Sequence, residues 1–267
     1  MPDTPFRSRI AKALLTLVAW ISASMIVGAL TRHGAMNSMA DLVAMLSSTV
    51  LLGVVAGIIV LAVASRGLTW GELGFVRPRL LALLRFLWFP LLVLLPIPVL
   101  AYAIGLPPNR AIAFMALNTT LIALSEEWMF RGVLFHALRA RLNFWPAVSL
   151  TTVCFGGLHV LNAFALGDLF MALAQSVAAM MTGLLLLALM LRTGTIWTAI
   201  LYHMLWNFGI LLVAYEASAA FDPTVPLPLS AYLTPMLIVL PNFLYALVLL
   251  RRVPRGLAAL ADDLNKS

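Results

Sequence analysis

Long apolar runs separated by short polar segments dominate the chain. A membrane-spanning helix needs roughly 20 mainly apolar residues. The pattern therefore predicts about eight spans, over residues 11–30, 42–65, 80–104, 111–142, 145–161, 169–191, 195–215 and 230–250. The fourth run is too long for a simple span, and Pro90, Pro96 and Pro98 predict kinks in the third.

Composition agrees with a bilayer as the solvent. Hydrophobic residues make up 63% of the chain and charged residues 10%, whereas soluble domains have about 45–50% and about 25%. We predict an all-α transmembrane helix bundle that forms one integral membrane domain over residues 1–267. The formal net charge of +7 comes from basic residues in short loops and tails. We therefore expect the lipid bilayer as a partner and no nucleic acid.

The distribution of basic residues predicts the orientation. Positive residues favour the cytoplasmic side of a membrane. They are concentrated in the N-terminal tail, in alternate loops and in the C-terminal tail, at Arg7, Arg9, Lys12, Arg66, Arg77, Arg79, Arg139, Arg141, Arg192, Arg251, Arg252, Arg255 and Lys266. The intervening loops hold only Arg32 and Arg110. Both termini are therefore predicted to be cytoplasmic, as an even number of spans requires.

Three of the predicted spans carry polar residues that are costly to bury, since a charge at the bilayer centre costs about 2.5–3.5 kcal/mol on insertion scales. These residues are Glu126, Glu127 and Arg131 in the fourth span, His159 in the fifth, and His203 and Asn207 in the seventh. At about 1.5 Å per residue, the two histidines lie roughly 16–20 Å from the cytoplasmic ends of their helices. Glu126 falls near the middle of its own helix. We therefore predict one shared polar site inside the membrane.

Helical spacing divides these residues into pairs. Glu127 and Arg131 are four apart and are expected to form an ion pair, while Glu126 points about 100° away from Glu127. His203 and Asn207 are also four apart and share a helix face.

This set of residues matches the needs of amide hydrolysis without a covalent intermediate. Glu126 with His159 can hold and deprotonate a water molecule. His203 and Asn207 can donate hydrogen bonds to a developing oxyanion.

The segments EEWMFRG, FGGLH and HMLWN resemble the three motifs of the CAAX-protease and bacteriocin-processing (CPBP) family, which includes the Ras-converting CAAX endopeptidase. The resemblance covers residues 121–207. It implies an intramembrane endopeptidase in which Glu126 and His159 activate water and His203 and Asn207 form the oxyanion hole. Glu127, Arg131 and Phe155 occupy the remaining motif positions, and we expect supporting roles for them.

The family has been described both as metalloproteases and as glutamate proteases. Glu126, His159 and His203 are residue types that bind zinc, but the motif HExxH is absent. We expect a mechanism that requires no cofactor and keep zinc as the alternative. The expected substrate is a peptide or a membrane-associated protein, and the expected location is a bacterial plasma membrane.

Two other functions are compatible with the sequence. A non-catalytic membrane protein of the same fold, with an immunity or scaffold role, would retain its function after loss of Glu126 and His159. A proton-coupled transporter would also bury Glu, Arg and His in its spans. Transporters often consist of two related halves, and the sequence shows no such duplication, so this hypothesis ranks last.

Overall fold

The computed structural model describes residues 5–32, 38–219, 227–251 and 253, and this part of the chain is helical, with no β-strand. The α-helices are α1 (Pro5–Thr31), α2 (Met39–Ser48), α3 (Leu52–Ala64), α4 (Leu80–Leu94), α5 (Pro96–Ile104), α6 (Asn109–Glu127), α7 (His136–Arg139), α8 (Phe144–Leu158), α9 (Ala163–Leu166), α10 (Leu169–Thr193), α11 (Ile196–Ala219) and α12 (Leu229–Leu250). A π-helix, Trp128–Phe135, joins α6 to α7, and a 3-10 turn, His159–Asn162, joins α8 to α9.

The bundle has the dimensions of an integral membrane protein. Six helical segments of the described chain are long and apolar enough to cross a bilayer, one of them formed by α4 and α5 together and one by α8 with its 3-10 turn. The bent pair α2 and α3 makes a seventh candidate. The α6 helix carries three charged residues and is not among them. The all-α membrane fold is thus confirmed. The count of eight spans and the cytoplasmic termini stay predictions, and the termini lie outside the described residues.

The span predicted over residues 42–65 is not one continuous helix, because α2 and α3 meet at a 71° bend. The buried side chain of Asn118, in α6, compensates for this break. Its amide nitrogen donates to the carbonyl oxygens of Leu46 at 2.9 Å and Thr49 at 2.7 Å, and its oxygen accepts from the Leu51 amide at 3.0 Å. Backbone groups freed inside a membrane need such partners, so one distant residue allows the helix to break.

Two glycines bring α3 close to α1. A Cβ atom built on Gly57 would lie 2.5 Å from the Ser24 hydroxyl and 2.8 Å from the Trp20 indole nitrogen. One on Gly53 would overlap the Ser24 carbonyl oxygen. Small residues four apart allow this approach of two membrane helices. The packing fixes one face of α1 against the bundle.

The long predicted fourth helix, residues 111–142, is interrupted in the structure. Regular α-helix ends at Glu127, eight residues follow in π-helical geometry, and a short α-helix ends at Arg139. Wider π-helical turns occur frequently at functional sites. Here the change of geometry begins directly after Glu126 and Glu127.

The loop between α3 and α4 packs against the turn between α10 and α11. The Ile196 amide donates to the Gly74 carbonyl oxygen at 2.9 Å, and the Thr195 hydroxyl donates to the Val76 carbonyl oxygen at 2.5 Å. Phe75 packs against the rings of Trp128 and Trp197, with centroids 5.4 and 5.3 Å away. These two loops were predicted to share the cytoplasmic side, and their contact places them at the same end of the bundle.

Candidate active site

Glu127 lies at the centre of a buried polar cluster that joins α6, its π-helical extension and α11. One of its carboxylate oxygens, Oε1, accepts from Arg131 Nη1 at 3.0 Å and lies 2.9 Å from His203 Nδ1. All three side chains are almost fully buried. The predicted pairing of Glu127 with Arg131 is therefore present. The contact with His203 was not predicted, since 76 residues separate the two positions.

Arg131 has two further contacts that fix its orientation. Its second terminal nitrogen donates to the Gly183 carbonyl oxygen at 2.8 Å. Its guanidinium carbon lies 4.3 Å from the centre of the Phe155 ring, within the range of a cation–π interaction. A Cβ on Gly183 would lie 2.7 Å from the same ring, so this position in α10 needs a glycine. Phe155 thus connects the first and second motifs.

His159 begins the 3-10 turn directly after α8. Its Nδ1 lies 3.1 Å from the Phe155 carbonyl oxygen. A carbonyl oxygen only accepts, so Nδ1 carries the proton and donates, and Nε2 is left for another partner. Asn162, three residues later, donates to Gln175 at 2.9 Å and is a polar neighbour that the sequence analysis did not single out.

Glu126 faces a cavity, whereas Glu127 faces the protein interior. The cavity has a volume of about 210 Å³, and Glu126, Phe155 and His159 are among its lining residues. Glu126 Oε2 lies 3.9 Å from His203 Nε2 and accepts no hydrogen bond from any described residue. Two adjacent carboxylates therefore have different surroundings, as their angular separation on a helix predicts.

The α1 helix forms the opposite wall of this cavity, which the sequence did not reveal. Trp20, Ser24 and Met25 all line it. The Trp20 indole nitrogen donates to the Ser125 hydroxyl at 2.9 Å, directly beside Glu126. In the sequence these residues belong to an ordinary apolar run, so no local signal marks them.

Asn207 lies one helical turn after His203 in α11 and is partly buried. It forms no hydrogen bond with the described part of the chain, and neither it nor His203 lines the cavity. The structure therefore brings Glu126 and His159 to one cavity, brings His203 next to Glu126, and leaves Asn207 outside this cavity.

The zinc alternative requires Glu126, His159 and His203 to converge on one point. Among the described residues, no group of three or more His, Cys, Asp or Glu side chains is arranged to hold a metal ion. Glu127 contacts Nδ1 of His203, and Nε2 lies 3.9 Å from Glu126 Oε2. The mechanism below contains no metal-dependent step, and zinc stays the alternative that a chelator tests.

Comparison with known families agrees with the geometry. Residues 108–209 match the family model described as Rce1-like, type II CAAX prenyl endopeptidase Rce1-like. This segment is similar to that family. The resemblance seen in the three motifs is thereby confirmed, and the Rce1-like segment contains every motif residue from Glu126 to Asn207. A comparison with curated proteins gave no match. The Rce1-like match points to a CAAX-type membrane protease.

Proposed function

We propose that this protein is an intramembrane endopeptidase that hydrolyses a peptide bond in a peptide or a membrane-associated protein. One observation carries the proposal. Within the segment matched by the family model, Glu126, whose Oε2 has no hydrogen-bond partner among the described residues, and His159, whose Nδ1 lies 3.1 Å from the Phe155 carbonyl oxygen, line the same cavity. A buried acid and base without a structural partner are expected where chemistry occurs.

In the proposed first step, Glu126 and His159 Nε2 hold a water molecule between them. Its oxygen attacks the scissile carbonyl carbon as Glu126 takes one proton, and a tetrahedral oxyanion forms. The bond from carbon to nitrogen then breaks, and the same proton passes to the leaving amine. The products are an amine and a carboxylic acid, which releases the second water-derived proton to the amine or to solvent and becomes a carboxylate, and Glu126 returns to its initial state.

The oxyanion is stabilised in this proposal by His203 and Asn207. His203 donates through Nε2 when its ring carries both protons, and Glu127 balances that charge at Nδ1. Asn207 donates through its side-chain amide, which has no other described hydrogen bond. A change of side-chain rotamer on binding would bring Asn207 to the substrate, since catalytic contacts often tighten only in the complex.

Glu127, Arg131 and Phe155 act as positioning residues in this scheme. Glu127 holds His203, Arg131 holds Glu127, and the Phe155 ring and the Gly183 carbonyl oxygen hold Arg131. The reaction needs no cofactor. We further propose that the protein is located in a bacterial plasma membrane, with both termini in the cytoplasm.

The test is cleavage of a peptide library by the protein purified in detergent, with prenylated and unmodified peptides as separate sets. Glu126→Gln keeps the shape of the side chain and removes the base, so we expect cleavage to be lost with the fold intact. Glu216→Gln is the matched control, because Glu216 lies near the end of α11 and packs against Gly105. Each protein is also assayed with a chelator, and inhibition would support the zinc alternative.

Full activity of a correctly folded Glu126→Gln protein would refute the proposed mechanism. Absence of cleavage by any of the proteins, in every peptide set, would favour a non-catalytic role of the same fold.

A further inference from the structure

The cavity at Glu126 continues into a larger one of about 650 Å³. Three residues, Ser24, Met25 and Leu161, line both. The larger cavity runs along α1 from Ser24 to Arg32 and is bounded on its other side by α2 and the break before α3. The two cavities are therefore adjacent, and we treat them together as one groove that leads to the candidate active site.

The groove lies at the end of the bundle remote from the loop between α3 and α4. It extends to Thr31 at the end of α1 and to Asp41 in the first turn of α2. The cluster of Phe75, Trp128 and Trp197 lies at the opposite end, with the turn between α10 and α11. The positive-inside pattern assigns that opposite end to the cytoplasm, so the groove belongs to the outer half of the bundle.

The cytoplasmic approach to Glu126 is filled by aromatic side chains. Trp20 and Phe130 pack edge to face with ring centroids 6.0 Å apart, and Phe130 and Phe155 do so at 5.2 Å. All three side chains are buried. Beneath them, the Trp128 indole nitrogen donates to the Ser65 hydroxyl at 3.2 Å. Because protein interiors are close-packed, a substrate cannot pass this layer without displacing it.

We propose that the substrate enters from the outer end, and that this groove binds an extended, largely apolar peptide segment next to the scissile bond. This inference rests on the proposed peptidase function and adds the side of entry and the substrate chemistry. The lining supports an apolar segment, since it is mainly aliphatic or small, and the hydroxyl groups of Thr31, Ser48 and Thr49 already donate to backbone carbonyl oxygens of the preceding helical turn. Its charged residues, Arg32 and Asp41, lie at the outer end.

The length of the groove sets the length of the bound segment. Thr31 lies seven positions after Ser24 in α1, which corresponds to about 10 Å at 1.5 Å per residue. An extended peptide covers about 3.3–3.6 Å per residue. The groove therefore accommodates about three substrate residues on one side of the bond that is cut.

Gly28 provides a direct test of this groove. It lines the larger cavity, and a Cβ at this position would meet no atom within 4 Å. Gly28→Trp should fill the groove without disturbing the helix packing, and we expect at least a tenfold fall in kcat/KM for peptides that extend into it. Gly28→Ala should retain activity. Ile26→Trp is the control for a bulky change on the same helix, because Ile26 is exposed and lines neither cavity.

Peptide length separates a blocked groove from a damaged catalytic site. The loss in Gly28→Trp should be largest for peptides with three or more residues on the groove side and small for peptides truncated there. An equal loss for all lengths, or none, would overturn the inference while leaving the proposed function intact, provided that Glu126→Gln stays inactive.

The side of entry is measured by cysteine labelling, which does not depend on cleavage. Cys154 is the only cysteine in the chain, so Cys154→Ala removes the background and Gly28→Cys places one thiol in the groove. A membrane-impermeant maleimide should label this thiol in intact cells and fail to do so when confined to the cytoplasmic side. Labelling only from the cytoplasmic side would refute entry from the outer end, even if no substrate were found.

Discussion

Replacement of Glu127 by glutamine tests the buried cluster most directly. Glu127 Oε1 serves both Arg131 and His203, and both the carboxylate and the guanidinium are completely buried. Removing one partner of a buried ion pair typically costs about 3–5 kcal/mol, because the remaining charge is left without compensation. For proteins of about 150–250 residues, 1 kcal/mol corresponds to about 2–4 °C in Tm. We therefore expect Glu127→Gln to lower Tm by on the order of 10 °C.

The double variant Glu127→Gln with Arg131→Met separates charge from shape. It removes both charges together, so the penalty of an isolated buried guanidinium disappears, and we expect Tm to recover part of the loss. The assay is thermal unfolding in one detergent, with Glu216→Gln as the control. If Glu127→Gln has the same Tm as the wild type, the cluster does not stabilise the fold as described.

The same substitution has a second readout in catalysis. Without the carboxylate, His203 Nδ1 loses its charged partner, and a displacement of about 1 Å in a catalytic group can reduce the rate by about 10²-fold. We expect kcat to fall with little change in KM, and Glu127→Asp to restore part of the rate. A parallel change in kcat and KM, without rescue by aspartate, would indicate a structural role only.

Two further predictions concern the broken helix and the cytoplasmic loop. Asn118→Leu leaves three backbone groups near the break without partners. Each buried unpaired group costs about 1–3 kcal/mol, so we expect this variant to melt well below the wild type. An unchanged Tm would contradict the role of Asn118. Hydrogen bonds from the Thr69 amide and hydroxyl hold the pKa of Glu72 below its usual value. These hydrogen bonds therefore stabilise the loop fully above the unfolded pKa of about 4.3, and this contribution is lost as the pH falls through the lower pKa of the folded state. In the wild type, hydrogen exchange in this loop, corrected for intrinsic exchange, should accelerate in acid. In Glu72→Gln the corrected exchange should be independent of pH over the same range.

The positions of the helices could be predicted from the sequence because each depends on local composition. The pairing of Glu127 with Arg131 was also predictable, since residues four apart on a helix are neighbours. The break between α2 and α3 was not, because Val50, Leu51 and Leu52 continue the apolar run and the compensating Asn118 lies in another helix.

The walls of the candidate site were equally hidden from sequence analysis. Trp20 and Ser24 belong to a run that is indistinguishable from any lipid-facing helix, and their position beside Glu126 follows from tertiary packing on Gly57. The contact between His203 and Glu127 could not be inferred from spacing either, since it is made between distant helices. Local periodicity therefore predicted which polar residues are buried, but it could not predict which of them contact each other in the folded bundle.

The local pairing of Glu127 with Arg131 has a consequence for biosynthesis. Ribosomes add about 5–20 residues per second, so His203, 76 residues after Glu127, is synthesised roughly 4 to 15 s later. During that interval Arg131, only four residues away, neutralises Glu127. Glu127 and Arg131 can therefore enter the bilayer as a compensated pair before His203 has left the ribosome.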